Sequence, residues 1–377
     1  MNAAFFYERL EPATLAGEFA AWRAASPQCG VLALLAEADQ PSLPLLQAAA
    51  REQGMPLVGA IFPALLHEGE FKRQGVWLLR LDSMPAHALI AELNQGEAPA
   101  ERIHAALQTA LHDSSAPTTL MLLFDSMLAN IASILEALYQ RLADRVHYMG
   151  ANAGSETFQP MPCLFDANQV VSNGVLCLLL PDDRGAALAH GYLPPDELIS
   201  ATATEGNRII SIDWRPAFDV YQERVQALFG VALTHDNFYQ FAVHFPFGIL
   251  LANGDVVVRI PVALEPDGSL FCVGEVPANS MLTLLDAPAV DSRHTIQQLV
   301  GNLDAQFGAC GERDLLTFYC AGRRLHLADA AQPELHDLLQ QSGCRRVVGA
   351  LSLGEIGSLR SAGYPVFHNA TLVCRPW

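Results

Sequence analysis

Lysine is almost missing from this chain: Lys72 is the only one in 377 residues. A phosphate-binding loop of the Walker type needs its own lysine after a glycine-rich turn, and none stands in that setting. Schiff-base chemistry is disfavoured for the same reason. Positive charge is scarce overall, with 22 Lys and Arg against 40 Asp and Glu, a formal charge of −18. Such a surface repels nucleic acid and anionic lipid at long range. The basic residues that exist are scattered, apart from short pairs such as Arg323–Arg324 and Arg345–Arg346. No apolar run approaches the roughly 18–20 residues of a membrane span. The start, "MNAAFFYERLEP", has no basic segment followed by an apolar one, so no signal peptide is read there and a cytoplasmic location is expected. The eight cysteines (29, 163, 177, 272, 310, 320, 344, 374) form no CxxC pair. Most read as small buried apolar residues rather than a disulfide or zinc set. No nucleophile elbow, HExxH motif or glycine-rich dinucleotide fingerprint occurs.

What the chain does have is apolar residue, 51% of the total. That suits large cores, and the length suits two or three domains. One pattern occurs three times: an apolar strand, an amphipathic helix, a second strand carrying Gly-Ala, and an apolar return strand. The first copy is "VLALLAE" (31–37), a helix near 43–54, "LVGAIF" (57–62) and "VWLLRL" (76–81). The second is "TLMLLFDS" (119–126), a helix near 127–142, "YMGANAG" (148–154) and "VLCLLL" (175–180). The third is "DLLTFYC" (314–320), a helix near 331–341, "VVGALSLGEIG" (347–357) and "NATLVC" (369–374). In the second helix Met127, Ile131, Ile134, Leu135 and Leu138 fall on one stripe. Continuously apolar strands are those buried on both faces, usually parallel ones under helices. The Gly-Ala pairs leave room for a close approach by backbone or by a ligand.

Between copies two and three the character changes. Strand-like runs at 247–252, 256–263 and 269–273 are separated by Asn253-Gly254 and Asp267-Gly268, both strong hairpin signals. "MLTLLD" (281–286) adds a further strand and a helix follows near 292–303. Upstream, 206–225 reads as a hairpin entering a helix. The expected class is α/β, with mixed sheets from recurring strand–helix–strand units plus an antiparallel meander, in two lobes divided as 1–215 and 216–377.

Several stretches carry a resemblance: "VVVRIP" (256–261), "FYCAGRR" (318–324), "VVGALSLGEIG" (347–357) and "FHNATLV" (367–373), with weaker ones in "LVGAIF", "YMGANAGS" and "GNRIISIDWRPAFDVY". Together they resemble the FIST family of ligand-sensing domains, from about residue 30 to the end. The resemblance implies a non-catalytic sensor of a small ligand. It implies output through a partner in trans, such as a histidine kinase or a diguanylate cyclase or phosphodiesterase. One subgroup, stand-alone proteins of this length, binds haem and senses nitric oxide.

The residues offer two candidate sites. A haem needs an axial donor in an apolar pocket. His244, within "FYQFAVHFPFG" (238–248), meets that description, with Phe245 and Phe247 to pack on the macrocycle and Arg259 for a propionate. His147 and His235 are alternatives to His244. The competing reading is a hydrogen-bonded histidine among core aromatics. The second candidate gathers Cys320, Arg323, Gly354 and Glu355 at strand ends, where open α/β sheets place ligands. Arg323 would clamp an acidic group or pair with Glu355. An amino acid or similar metabolite is the alternative ligand, and a cysteine-dependent hydrolase using Cys320 and Glu355 the alternative activity. His368 reads as structural, with Asn369 and Thr371 pairing with backbone at the start of the last strand.

Overall fold

A computed structural model describes residues 3–113, 118–181, 184–193, 197–285, 292–358 and 363–377. Asp286, the end of the expected strand 281–286, lies outside them; that strand is described as Met281–Leu284. The three copies form three separate six-stranded sheets of one plan. In unit 1 an edge strand, Ala3–Tyr7, leads through helix Pro12–Ala25 to an opening strand, Gly30–Ala36. Helix Leu43–Glu52, closing strand Leu57–Phe62 and return strand Val76–Leu81 follow. Unit 2 repeats this with His87–Ile90, Pro99–Asp113, Thr118–Asp125, Ile131–Leu142, Val146–Ala153 and Val175–Leu180. Unit 3 repeats it with Ala187–Ala189, Arg293–Phe307, Leu315–Cys320, Ala331–Ser342, Val347–Ser352 and Leu372–Pro376. Opening and closing strands pair in parallel and the return strand pairs antiparallel to the opening one. These strands are buried along almost their whole length, which is why their sequences lack alternation.

After each closing strand the chain leaves its own unit. The hairpin Leu65–His67 and Glu70–Lys72 completes the sheet of unit 3. The hairpin Leu164–Asp166 and Val170–Val171 completes unit 1. The hairpin Glu355–Gly357 and Val366–His368 completes unit 2. The exchange is cyclic, so the units form one body with approximate threefold symmetry. Equivalent hydrogen bonds mark the seams: Ile61 N–H to the Cys163 carbonyl, Asn152 N–H to Gly354, and Leu351 N–H to Ala64, at 2.8, 2.8 and 2.9 Å. A second set runs from Gly154 N–H to Ile61 and from Leu353 N–H to Asn152. Its third member would come from Pro63, which has no N–H to give.

The repeated glycines have one explanation. A Cβ on Gly59, Gly150 or Gly349 would collide with the carbonyl oxygen of Ala33, Leu122 or Thr317 on the adjacent opening strand. The close approach expected at Gly-Ala is made by a neighbouring strand.

The antiparallel region is an insert within unit 3, between its edge strand and its first helix. Its sheet runs in the order Val256–Arg259, Phe247–Leu250, Met281–Leu284, Ile199–Glu205, Arg208–Ile212, Leu270–Cys272, Pro261–Leu264. The two ends of that order are one stretch of chain, 256–264, so the sheet curls. Helices Ala217–Phe229 and Phe238–Ala242 accompany it. Residue 215 falls inside this insert, where Arg215 pairs with Ile212. The expected helix from 127 begins at Ile131, because Asn130 takes a left-handed conformation before it. Met127 consequently leaves the stripe and is exposed.

Six cysteines are free and buried, as small apolar side chains. The other two depart from the sequence reading: Cys310 and Cys344 form a disulfide between the segments that follow two helices of unit 3. Both are nearly buried, where helices Arg293–Phe307 and Ala331–Ser342 pack together.

Candidate functional site

The body and the insert meet along a cleft with two joined compartments. The inner one is a hollow of about 200 Å³. Its walls are Val243, Ile260, Pro261, Val262 and Val273 from the insert and Ala321, Leu325 and Leu353 from the body. Cys320 and Asn369 reach it from strand ends of unit 3, and His244 from the turn after Phe238–Ala242. The outer compartment, about 710 Å³, lies over the carboxyl end of the unit 2 sheet. The loop 126–131, Asn152, Gly206, Arg208 and Gly274 line it. Phe158, Tyr239, Val262 and Val273 line both. Carboxyl ends of parallel strands are where the backbone diverges and leaves such a space.

Four clasps bridge the cleft. The Ile260 N–H donates to Asn369 Oδ1 at 3.1 Å. Arg259 donates to the Glu275 carbonyl at 2.9 Å and across to the Phe367 carbonyl at 2.8 Å. Glu275 accepts from the hydroxyl and the N–H of Ser133, in the first turn of Ile131–Leu142. His244 Nδ1 lies 2.8 Å from His326 Nδ1, on helix Ala321–Leu327. Burial and its neighbours His244 and Arg323 lower His326 to about 4, so this pair is neutral near pH 7.

The first set of expected site residues is separated by the fold. His244 faces the inner hollow, but Phe245 and Phe247 turn into the insert's own core. Phe245 stacks on Phe229 and Phe247 packs on Tyr221. Arg259 neither meets a carboxylate nor faces solvent: backbone carbonyls take its protons and the Phe367 ring covers it. Burial pushes it down to about 10. His147 and His235 lie outside both compartments, and His235 sits by Phe218.

In the second set only Cys320 lines the hollow. Arg323 is fully buried and pairs with Glu334, not Glu355, through two bonds of 2.7 and 2.5 Å. It also holds the His190 and Ala370 carbonyls, and it does not line the hollow. Glu334 stands eleven residues on, a helix away, which made it invisible to a reading of strand ends. Gly354 is packed under Phe367, where no side chain would fit. Glu355 is buried, accepts from the Ser352 hydroxyl at 2.6 Å and from the Thr371 N–H at 3.4 Å, and lies beside the Cys320 thiol. Burial raises Glu355, and burial with the Glu355 carboxyl raises Cys320. The Cys320 sulfur accepts the Ala370 N–H at 3.0 Å. Asn369 and Thr371 pair with backbone, and His368 is fully buried and lowered to about 3 by that burial.

Asn152 was missed. It is the polar member of a set whose other two, Ile61 and Leu351, are apolar. Alignment of the three internal copies would have exposed it.

Haem fits this site in one respect. The donor imidazole borders an apolar hollow, and its other ring nitrogen is oriented by a partner, as ligating histidines require. The hollow does not fit the macrocycle: 200 Å³ falls below the roughly 300–1,000 Å³ of sites for drug-sized ligands. Among the described residues no arginine or lysine lines it to meet the propionates.

Two family models match the chain: the FIST N domain over residues 31–215 and the FIST C domain over 217–358. The chain belongs to the FIST family. This is a family of small-ligand sensor domains; the insert is divided between the two matches, with strands Ile199–Glu205 and Arg208–Ile212 in the N domain and the rest, with most of unit 3, in the C domain. No curated protein matches the chain. Among the described residues no helix is long and apolar enough to cross a membrane.

Proposed function

We propose that the chain is a non-catalytic sensor whose small ligand seats in the cleft between body and insert. One observation supports this above the others: the inner hollow is bounded by both parts, beside the clasps that hold them together. A ligand there changes how firmly the insert is held, and it shifts the equilibrium only through that difference. The output is read by a partner protein of the histidine-kinase or cyclic-di-GMP class. The size and apolar walls of the hollow suit a small metabolite with an aliphatic body, an apolar amino acid among them. A cysteine-dependent hydrolase needs a thiolate. Cys320 is held as the thiol by burial and by the adjacent carboxyl.

A thermal-shift screen of small aliphatic metabolites tests this reading, because a ligand that binds only the folded state raises the melting point. Val273→Trp, filling the junction of the compartments, abolishes the response while the protein stays folded. A response that survives Val273→Trp places the ligand elsewhere. The haem reading rests on the orientation of His244 alone. Hemin reconstitution decides it: a Soret band that shifts with nitric oxide and is lost in His244→Ala supports haem, and no retained haem rejects it.

A further inference from the structure

The clasp between His244 and His326 decides which nitrogen of His244 carries a proton. Burial lowers both rings, so both are neutral near pH 7, and their Nδ1 atoms stand 2.8 Å apart. Two neutral imidazoles in that position place one proton between the facing nitrogens, so one ring donates and the other accepts. If His244 donated, His326 would hold its own proton on Nε2. That nitrogen is buried and has no hydrogen-bond partner in the protein. Orphaned buried N–H groups are rarer than under-used lone pairs.

Tyr192 points the same way. Its ring centre lies 6.3 Å from that of His326, and its hydroxyl is also buried without a partner. An O–H beside a lone pair is satisfied by a small shift or one bridging water. An O–H beside an N–H always leaves one donor over. His326 therefore donates from Nδ1, and His244 accepts there and carries its proton on Nε2. Nε2 lies across the ring from the clasp, is not closed off, and belongs to a residue that lines the inner hollow. Glu156 on the same wall is engaged by Arg73 and Arg324, at 3.6 and 3.9 Å. The buried amide of the outer compartment is of the same kind: Asn152 keeps Oδ1 closed off, so its open atom is the Nδ2 donor.

Resting on the cleft reading above, we propose that His244 is the donor that reads the ligand's head and His326 the positioning residue that sets its tautomer: the cleft takes an aliphatic body ending in a hydrogen-bond acceptor, a carboxylate or carboxamide oxygen. An ammonium head has no lone pair to offer. An iron ligand at Nε2 would need the opposite tautomer.

The test has two arms on the full chain. Long-range nitrogen–proton NMR of the histidine rings, assigned from the backbone, reads the tautomers of the wild type: His244 carries its proton on Nε2 and His326 on Nδ1. The reverse pattern overturns the proposal, and because no variant is needed this arm stands even if a variant folds poorly. In thermal unfolding, millimolar pentanoate and pentanamide raise the melting temperature and pentylamine does not. His244→Leu loses both responses. His326→Leu weakens them, and His326→Asn, whose amide donates from the place of Nδ1, restores them. Equal responses to all three heads, or acceptor responses that persist in His244→Leu, overturn the donor and leave the cleft reading standing. No response to any probe overturns both.

Discussion

Replacing Gly150 by alanine tests the reason for the repeated Gly-Ala. The added methyl would occupy the space of the Leu122 carbonyl oxygen, which belongs to the parallel partner strand. Neither atom is the end of a flexible side chain, so the strands themselves must part. They pair over eight residues, Thr118–Asp125 against Val146–Ala153, at the centre of the unit 2 sheet. Overpacking of a core costs about 1–3 kcal/mol. Each ladder hydrogen bond lost adds about 1 kcal/mol. With one such bond lost, a destabilisation of about 2–4 kcal/mol follows, or a melting point lower by roughly 4–8 °C at about 2 °C per kcal/mol. The control is Gly301→Ala. Gly301 lies inside helix Arg293–Phe307 with open space where its Cβ would go. Alanine there stabilises by about 1 kcal/mol through helix propensity. Melting curves followed by circular dichroism give both values. If the two variants move together, or if Gly150→Ala melts within a degree of wild type, the steric account of the glycines is wrong.

Further expectations concern buried chemistry. Glu355 is raised by burial, so its protonated form contributes stability that is fully present below the ordinary carboxyl range and is lost as the pH rises through its folded value. Glu355→Gln, compared with wild type in urea at pH 5 and pH 8.5, is therefore relatively more stable at the higher pH; a constant difference contradicts the assignment. Cys320 lines the cleft but is held as the thiol, so maleimide labels it slowly in the native chain near pH 7 and faster as the pH is raised, followed by peptide mapping. Label spread evenly over the six free cysteines would show that the hollow is closed to reagents. The Cys310–Cys344 link spans 34 residues, and loop-closure entropy puts its contribution at about 4 kcal/mol. Cys344→Ser lowers the melting point accordingly, and non-reducing peptide maps of the wild type show the pair joined.

The strands and helices of the three units were legible because each is stabilised by its own pattern. Runs such as 120–124 are apolar throughout, and the stripe Ile131, Ile134, Leu135, Leu138 keeps helical spacing. Asn253-Gly254 and Asp267-Gly268 marked hairpins because they accept positive φ, and both glycines have it. Which sheet a hairpin completes was not legible. Leu65–His67 pairs with Gly349 and Ala350, nearly three hundred residues away, and no local pattern encodes that partner. The insertion of a whole sheet into unit 3 was hidden for the same reason. At the site, Phe238, Tyr239, His244, Phe245 and Phe247 looked like one aromatic nest around a histidine. They lie on a short helix, a turn and a strand, whose geometry sends Tyr239 and His244 to the cleft and the three phenylalanines inward. Arg323 looked available because its partner, Glu334, lies on the next long helix.

Methyl-resolved NMR of the chain titrated with leucine, an apolar amino acid, tests the central claim most directly. The account predicts shift changes at Ile260, Val262 and Val273 of the insert together with Leu325 and Leu353 of the body, and smaller ones with distance from the cleft. Changes confined to one side, or centred away from these methyls, would contradict it.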